Sequence, residues 1–115
     1  MVHWLFAGFL IAHGLVHVAI WLAPATDDVP FDVRHSWLAG DLGRLGTVAG
    51  PVVGAAFVLA GIAFLTGAAW WPAALLVAAV ASLAMLVLTF TPWWLLGLAI
   101  NVALVVVAAC ELWVR

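Results

Sequence analysis

The stretch LGTVAGPVVGAAFVLAGIAFLTGAAWWPAALLVAAVASLAMLVLTFTPWWLLGLAINVALVVVAAC, Leu45–Cys110, contains no Asp, Glu, Lys or Arg. At about 20 residues per crossing of the hydrocarbon layer, it holds three membrane spans. Two short breaks divide it, each followed by a proline, Pro72 and Pro92. Proline is tolerated in the first turn of a helix, where the amide hydrogen it lacks has no partner anyway. These spans are read as 47–67, 71–90 and 93–113. Upstream, Val2–Ala23 is a fourth apolar segment, ended by Pro24, which cannot extend a helix without losing a hydrogen bond and clashing with the preceding turn. The chain is therefore predicted to be one integral membrane domain over residues 1–115. Its fold class is all-α: a four-transmembrane-helix bundle, up-down and antiparallel because the last two connections are short. One longer loop, 24–46, joins helices 1 and 2.

Composition supports the same class. Of 115 residues, 70% are hydrophobic and 7% charged, and the mean hydropathy is +1.34, too little polar surface to coat a soluble domain. With no Lys, three Arg and one Cys, disordered, nucleic-acid-binding and disulfide-rich secreted classes are excluded. Six charged residues cluster in one loop (Asp27, Asp28, Asp32, Arg34, Asp41, Arg44), and Glu111 and Arg115 lie at the C-terminus as an i, i+4 pair. A cleaved signal peptide is the competing reading of the first span, from Ala23-Pro24-Ala25. The length of the apolar region, a start without Lys or Arg, and histidines in its core speak against it. Arginine placement orients multi-span proteins; both termini are placed on the cytoplasmic side.

Tryptophan prefers the headgroup level, where its ring is apolar and its N–H stays wet. Four antiparallel spans place Trp4, Trp70, Trp71 and Trp113 at one interface and Trp21, Trp37, Trp93 and Trp94 at the other. In the long loop, Phe31, Val33, Trp37, Leu38, Leu42 and Leu45 are spaced for a short amphipathic helix on the bilayer surface. The alternative is an irregular loop anchored by Trp37.

Polar side chains inside a bilayer are costly and ask for partners. His13 and His17, in the run His-Gly-Leu-Val-His, lie four residues apart and so share a helix face. Such a pair can chelate a transition metal when further ligands come from elsewhere. However, no Cys, Asp or Glu lies at matching depth, and His3 is roughly 15 Å away along the helix. His35, Asp32 and Asp41 reach the pair only if the loop dips inward. A haem with two facing axial histidines requires a homodimer. A structural, hydrogen-bonding role needs neither, and a proton-handling role is the remaining reading. Counted from the loop side at ~1.5 Å per residue, His17 lies roughly 9 Å deep, His13 roughly 15 Å, Asn101 about 12 Å and Ser82 about 13 Å. These four residues are predicted to form a buried polar cluster, with Gly54 of the second span near the same level. Ser82 has the alternative of bonding its own helix backbone.

Gly43, Gly46, Gly50, Gly54 and Gly61 fall within an arc of about 80° at 100° per residue. Gly46, Gly50 and Gly54 make a doubled G-x-x-x-G, a surface that lets helix backbones approach closely in lipid. It serves either packing within the bundle or a dimer seam. Gly40-Asp41-Leu42-Gly43-Arg44 reads as a turn into a helix, not an anion site. Nucleophilic catalysis has no support, because Ser82 and Cys110 lack a placed base.

The run His13-Gly14-Leu15-Val16-His17, Ser36-Trp37-Leu38, Trp70-Trp71-Pro72 and the stretch from Trp93-Trp94 to Asn101-Val102 together resemble a group of uncharacterised small four-span bacterial membrane proteins. That resemblance covers most of the chain and implies membrane location and fold, with no established reaction; some members carry an acidic residue where this chain has Asn101. The high Ala and Val content, with Arg in place of Lys, also suits a bacterial origin. The reading is a multi-pass protein of the bacterial inner membrane, a non-enzymatic accessory or structural subunit. Its partners are the lipid bilayer and a second copy or a larger membrane complex, with no nucleic acid. The rivals are a protein that binds or transports a metal ion or small ligand through His13 and His17, and a haem-binding electron carrier acting as a homodimer.

Overall fold

The structure, a computed structural model, describes residues 1–22, 35–90 and 94–115. Within them lie four helices: α1 (Val2–Leu22), α2 (Arg44–Leu65), α3 (Trp71–Leu88) and α4 (Leu95–Trp113). Each is long and apolar enough to cross a membrane. At ~1.5 Å per residue they are roughly 27–33 Å long, the thickness of the hydrocarbon layer. Large apolar side chains cover the outside, including Leu59, Ile62, Val77, Val80, Val102 and Val106. An apolar exterior of that extent suits lipid as solvent. The chain is an all-α four-helix bundle of the multi-pass membrane class.

The boundaries follow local chemistry. α2 begins at Arg44, earlier than the Thr47 read from hydropathy, because Asp41 Oδ1 accepts a hydrogen bond from the Gly43 amide (2.9 Å) and turns the chain into the helix. Gly43 takes φ +54 and precedes the helix, so it is not part of the glycine face. α2 contains Pro51; neighbouring helices make such an interruption tolerable in a span. It ends at Leu65, where Gly67 adopts φ +71 and the Ala68 and Gly67 amides bond to the Ala63 and Phe64 carbonyls (2.9 and 3.2 Å). That arrangement satisfies carbonyls the helix leaves open, and it suits a residue without Cβ. Pro72 sits in the first turn of α3. Pro24, Pro92 and Trp93 lie outside the described residues.

The surface helix expected in the long loop is not present over residues 35–43. Instead, β1 (His35–Ser36) pairs antiparallel with β2 (Gly40–Asp41) in a small hairpin. Buried Ser36 accepts hydrogen bonds at Oγ from the Leu38 and Ala39 amides (3.2 and 3.0 Å), and Gly40 takes φ +75. These local bonds outcompete a helix, as side-chain oxygens do near turns. The exposed Trp37 donates its indole N–H to the Val87 carbonyl (2.6 Å), anchoring the hairpin to the C-terminal end of α3. Phe31, Val33, Asp27, Asp28, Asp32 and Arg34 lie outside the described residues.

Three helix pairs make the main backbone contacts: α1 on α2, α2 on α3 and α3 on α4. The glycine face of α2 turns to α1. A methyl at Gly54 would stand 2.5 Å from the Gly14 carbonyl oxygen, and one at Gly14 would stand 2.5 Å from that of Gly54. A methyl at Gly50 would overlap the Trp21 side chain, and one at Gly61 would lie 2.9 Å from Ile11. Gly46 is buried on the same helix. Of the two uses open for the glycine face, the structure takes packing within the bundle at Gly50, Gly54 and Gly61.

Two apolar clusters fill the interior. The larger contains Leu10, Phe57, Leu75, Ala78, Ala79 and Leu104, and the smaller, near the hairpin, contains Trp21, Leu86 and Trp94. Trp21, Trp71 and Trp94, all at or beside helix ends, are buried against neighbouring helices, whereas Trp4, Trp37, Trp70 and Trp113 are exposed. Trp71 has the Arg115 guanidinium 6.0 Å above its ring, and that group bonds to the Ala69 carbonyl (3.3 Å) instead of pairing with Glu111.

Candidate functional site

His17, Ser82 and Asn101 are buried between the two apolar clusters, and half-buried His13 adjoins them. They come from α1, α3 and α4, and four hydrogen bonds join them. His17 Nδ1 lies 2.9 Å from the His13 carbonyl, and His17 Nε2 lies 2.6 Å from Ser82 Oγ. Asn101 Nδ2 lies 2.8 Å from Ser82 Oγ, and His13 Nε2 lies 3.3 Å from Asn101 Oδ1.

The direction of these bonds follows from one fact: a carbonyl only accepts. His17 must therefore carry its proton on Nδ1, which leaves Nε2 of the neutral ring as an acceptor. Ser82 gives its hydroxyl hydrogen to that nitrogen and in turn accepts from the Asn101 amide. The Asn101 oxygen then accepts from His13 Nε2–H. The circuit starts at the His13 ring, passes through Asn101, Ser82 and His17, and closes on the His13 backbone. Each of the four bonds pairs a donor with an acceptor while both rings stay neutral, so the circuit buries no charge in the span. Among the described residues no fully buried side-chain nitrogen or oxygen is without a partner.

Aromatic rings enclose the circuit. Phe57 of α2, fully buried, stands edge-on to His13 at 4.8 Å and tilted against His17 at 5.3 Å. His17 stacks on Trp21 (5.6 Å), and Trp21 stacks on Trp94, the residue that caps the start of α4 (5.3 Å). Phe9 stacks on His13 (5.7 Å). Sequence reasoning missed Phe9, Trp21, Phe57, Trp94 and Thr89. A signal existed for two of them, because Phe9, His13, His17 and Trp21 recur every four residues along one helix face. Thr89 follows α3, and its carbonyl accepts the Trp94 indole N–H (2.9 Å), which ties the start of α4 to the end of α3.

The remaining candidates lie elsewhere. His3 stacks near Phe64 (4.5 Å) toward the opposite end of the bundle, and Asp41 is exposed in the hairpin. Cys110 is exposed, and Asp32 lies outside the described residues. Among the described residues no three His, Cys, Asp or Glu side chains come together as metal ligands would.

Between α1 and α4, whose backbones make little direct contact, a cleft of about 230 Å³ opens beside the circuit. Buried Trp21, Trp94 and Asn101 line it inside, and exposed Val16 and Leu96 form its lips. The chain matches no protein-family model, no curated protein and no solved structure.

Proposed function

We propose that this chain is a non-enzymatic accessory or structural subunit of the bacterial inner membrane, with both termini cytoplasmic. In this reading its polar residues hold the helices in register and its apolar exterior meets lipid, a second copy or a larger membrane complex. The observation that carries it is the closed hydrogen-bond circuit. Both nitrogens of His17 and Nε2 of His13 are used by the fold itself, in a bilayer interior where unpaired polar groups are costly. A chelate on His13 and His17 would have to take His17 away from Ser82 or from the His13 carbonyl, at the cost of a buried bond. Likewise, a haem would displace the ring contacts of whichever histidine bound it.

Metal analysis and an absorption spectrum of the purified protein, with thermal unfolding in the same detergent, test the reading. The expected result is no Soret band, no metal at stoichiometric level, and a lowered unfolding temperature in Asn101→Ala. A Soret band would establish the haem reading, and stoichiometric metal lost in His13→Ala or His17→Ala would establish chelation; either overturns the structural role.

A further inference from the structure

The circuit that holds the fold also leaves one chemical group over. With its proton on Nε2, His13 presents Nδ1 as a lone pair, and that nitrogen has no hydrogen-bond partner among the described residues. It is not fully buried, since no fully buried nitrogen there lacks a partner. The ring carrying it borders the cleft between α1 and α4.

We infer that this cleft is a binding site for a small aromatic hydroxyl compound, a phenol or hydroquinone ring drawn from the bilayer, whose hydroxyl donates to His13 Nδ1. Three observations select that class. The first is size: a cavity of about 150 Å³ suffices for benzene, and the cleft measures about 230 Å³, room for one substituted ring. The second is the wall, where the Trp21–Trp94 stack and the His13 ring offer aromatic surfaces, which favour offset or edge contact with another ring. The third is polarity. The Trp94 indole N–H is already given to Thr89, and Asn101, fully buried, gives one amide hydrogen and its oxygen to the circuit. The acceptor on His13 therefore favours a ligand that donates. The lips, Val16 and Leu96, are exposed on what is the lipid-facing side of a spanning bundle, so the route in is lateral and suits an apolar molecule.

This inference goes beyond the structural role and rests on it only for the proton position of His13. Nitrogen NMR of histidine-labelled protein in nanodiscs separates the two, with phenol as probe and toluene as its isostere without a donor. In the ligand-free protein, the circuit requires a protonated Nε2 and a bare Nδ1 on His13. Phenol is expected to shift the bare nitrogen saturably and toluene is not. Gly97→Leu fills the cleft at a position where the nearest neighbour is the flexible end of Leu86, 3.3 Å from the first added carbon. It is expected to weaken the phenol effect at least tenfold. Leu96→Trp, on the exposed lip, gives the same test without entering the packed interior. An unmoved nitrogen with the ligand-free proton position intact overturns the ligand site alone, as does an equal response to toluene or a phenol response that survives both variants. A proton found on His13 Nδ1 contradicts the circuit, and the site falls with it.

Discussion

Asn101 and Ser82 show how much one polar side chain carries in the interior of a membrane-spanning bundle. Interhelical hydrogen bonds in membranes are worth about 0.6 kcal/mol on average and up to ~1.7 kcal/mol. Each of these residues makes two in the circuit, so Asn101→Ala and Ser82→Ala are each expected to lower stability by about 1–3 kcal/mol, the range for stranding a buried partner. Unfolding in detergent checks this. Because both substitutions remove the same Ser82–Asn101 bond, the double variant should lose less than the sum, by roughly 0.5 kcal/mol or more. Strict additivity would mean that the two side chains do not share a bond. At this scale the sequence was informative about depth and silent about direction. Residue spacing puts His13, His17, Ser82 and Asn101 in one layer. Which atom donates depends on the His13 carbonyl, a backbone group that no residue type reveals.

The α1–α2 pair rests on Gly14 and Gly54, whose absent side chains let each backbone touch the other. Gly54→Ala places a methyl against a carbonyl oxygen that cannot rotate away, so the helices must part, at an expected loss of about 1–3 kcal/mol. Gly8 lies on the same helix as Gly14 but faces open space. Gly8→Ala should therefore be neutral or stabilising by up to ~1 kcal/mol, through the higher helix propensity of alanine. Paired thermal melts of the two variants measure the contrast; equal losses would show that propensity, not packing, governs these glycines. The small-residue face of α2 was legible from its period, but its partner was not, because a stripe of glycines is equally open to a neighbour in the chain and to another molecule. Of the two readings of the 35–41 segment, the surface helix fails for a related reason, while Trp37 anchors the segment as the other reading has it. The spacing of Trp37, Leu38 and Leu42 fits a helix, while the turn is decided by Ser36 Oγ and the left-handed Gly40, which hydrophobic spacing does not register.

As a whole, the molecule is an apolar cylinder, 44 × 23 × 22 Å, with one polar storey set between two apolar clusters. The long uncharged stretch made three of the four spans readable, since hydrocarbon thickness alone fixes how many helices it must contain. Rotation about each axis was not readable, and it is what turns Trp21, Trp71 and Trp94 inward against neighbouring helices. An even number of spans puts both termini on one side, and the proposed orientation makes that side cytoplasmic. A C-terminal green fluorescent protein fusion should fluoresce and a phosphatase fusion should be inactive; the reverse pattern would invert the orientation while leaving the fold intact. The central claim is the closed, uncharged circuit that ties α1 to α3 and α4. Nitrogen NMR of the ligand-free, histidine-labelled protein in nanodiscs addresses it directly: the expected spectrum has His17 protonated on Nδ1 and His13 on Nε2, both rings neutral, whereas His17 protonated on Nε2 alone, or a doubly protonated ring at neutral pH, would contradict it.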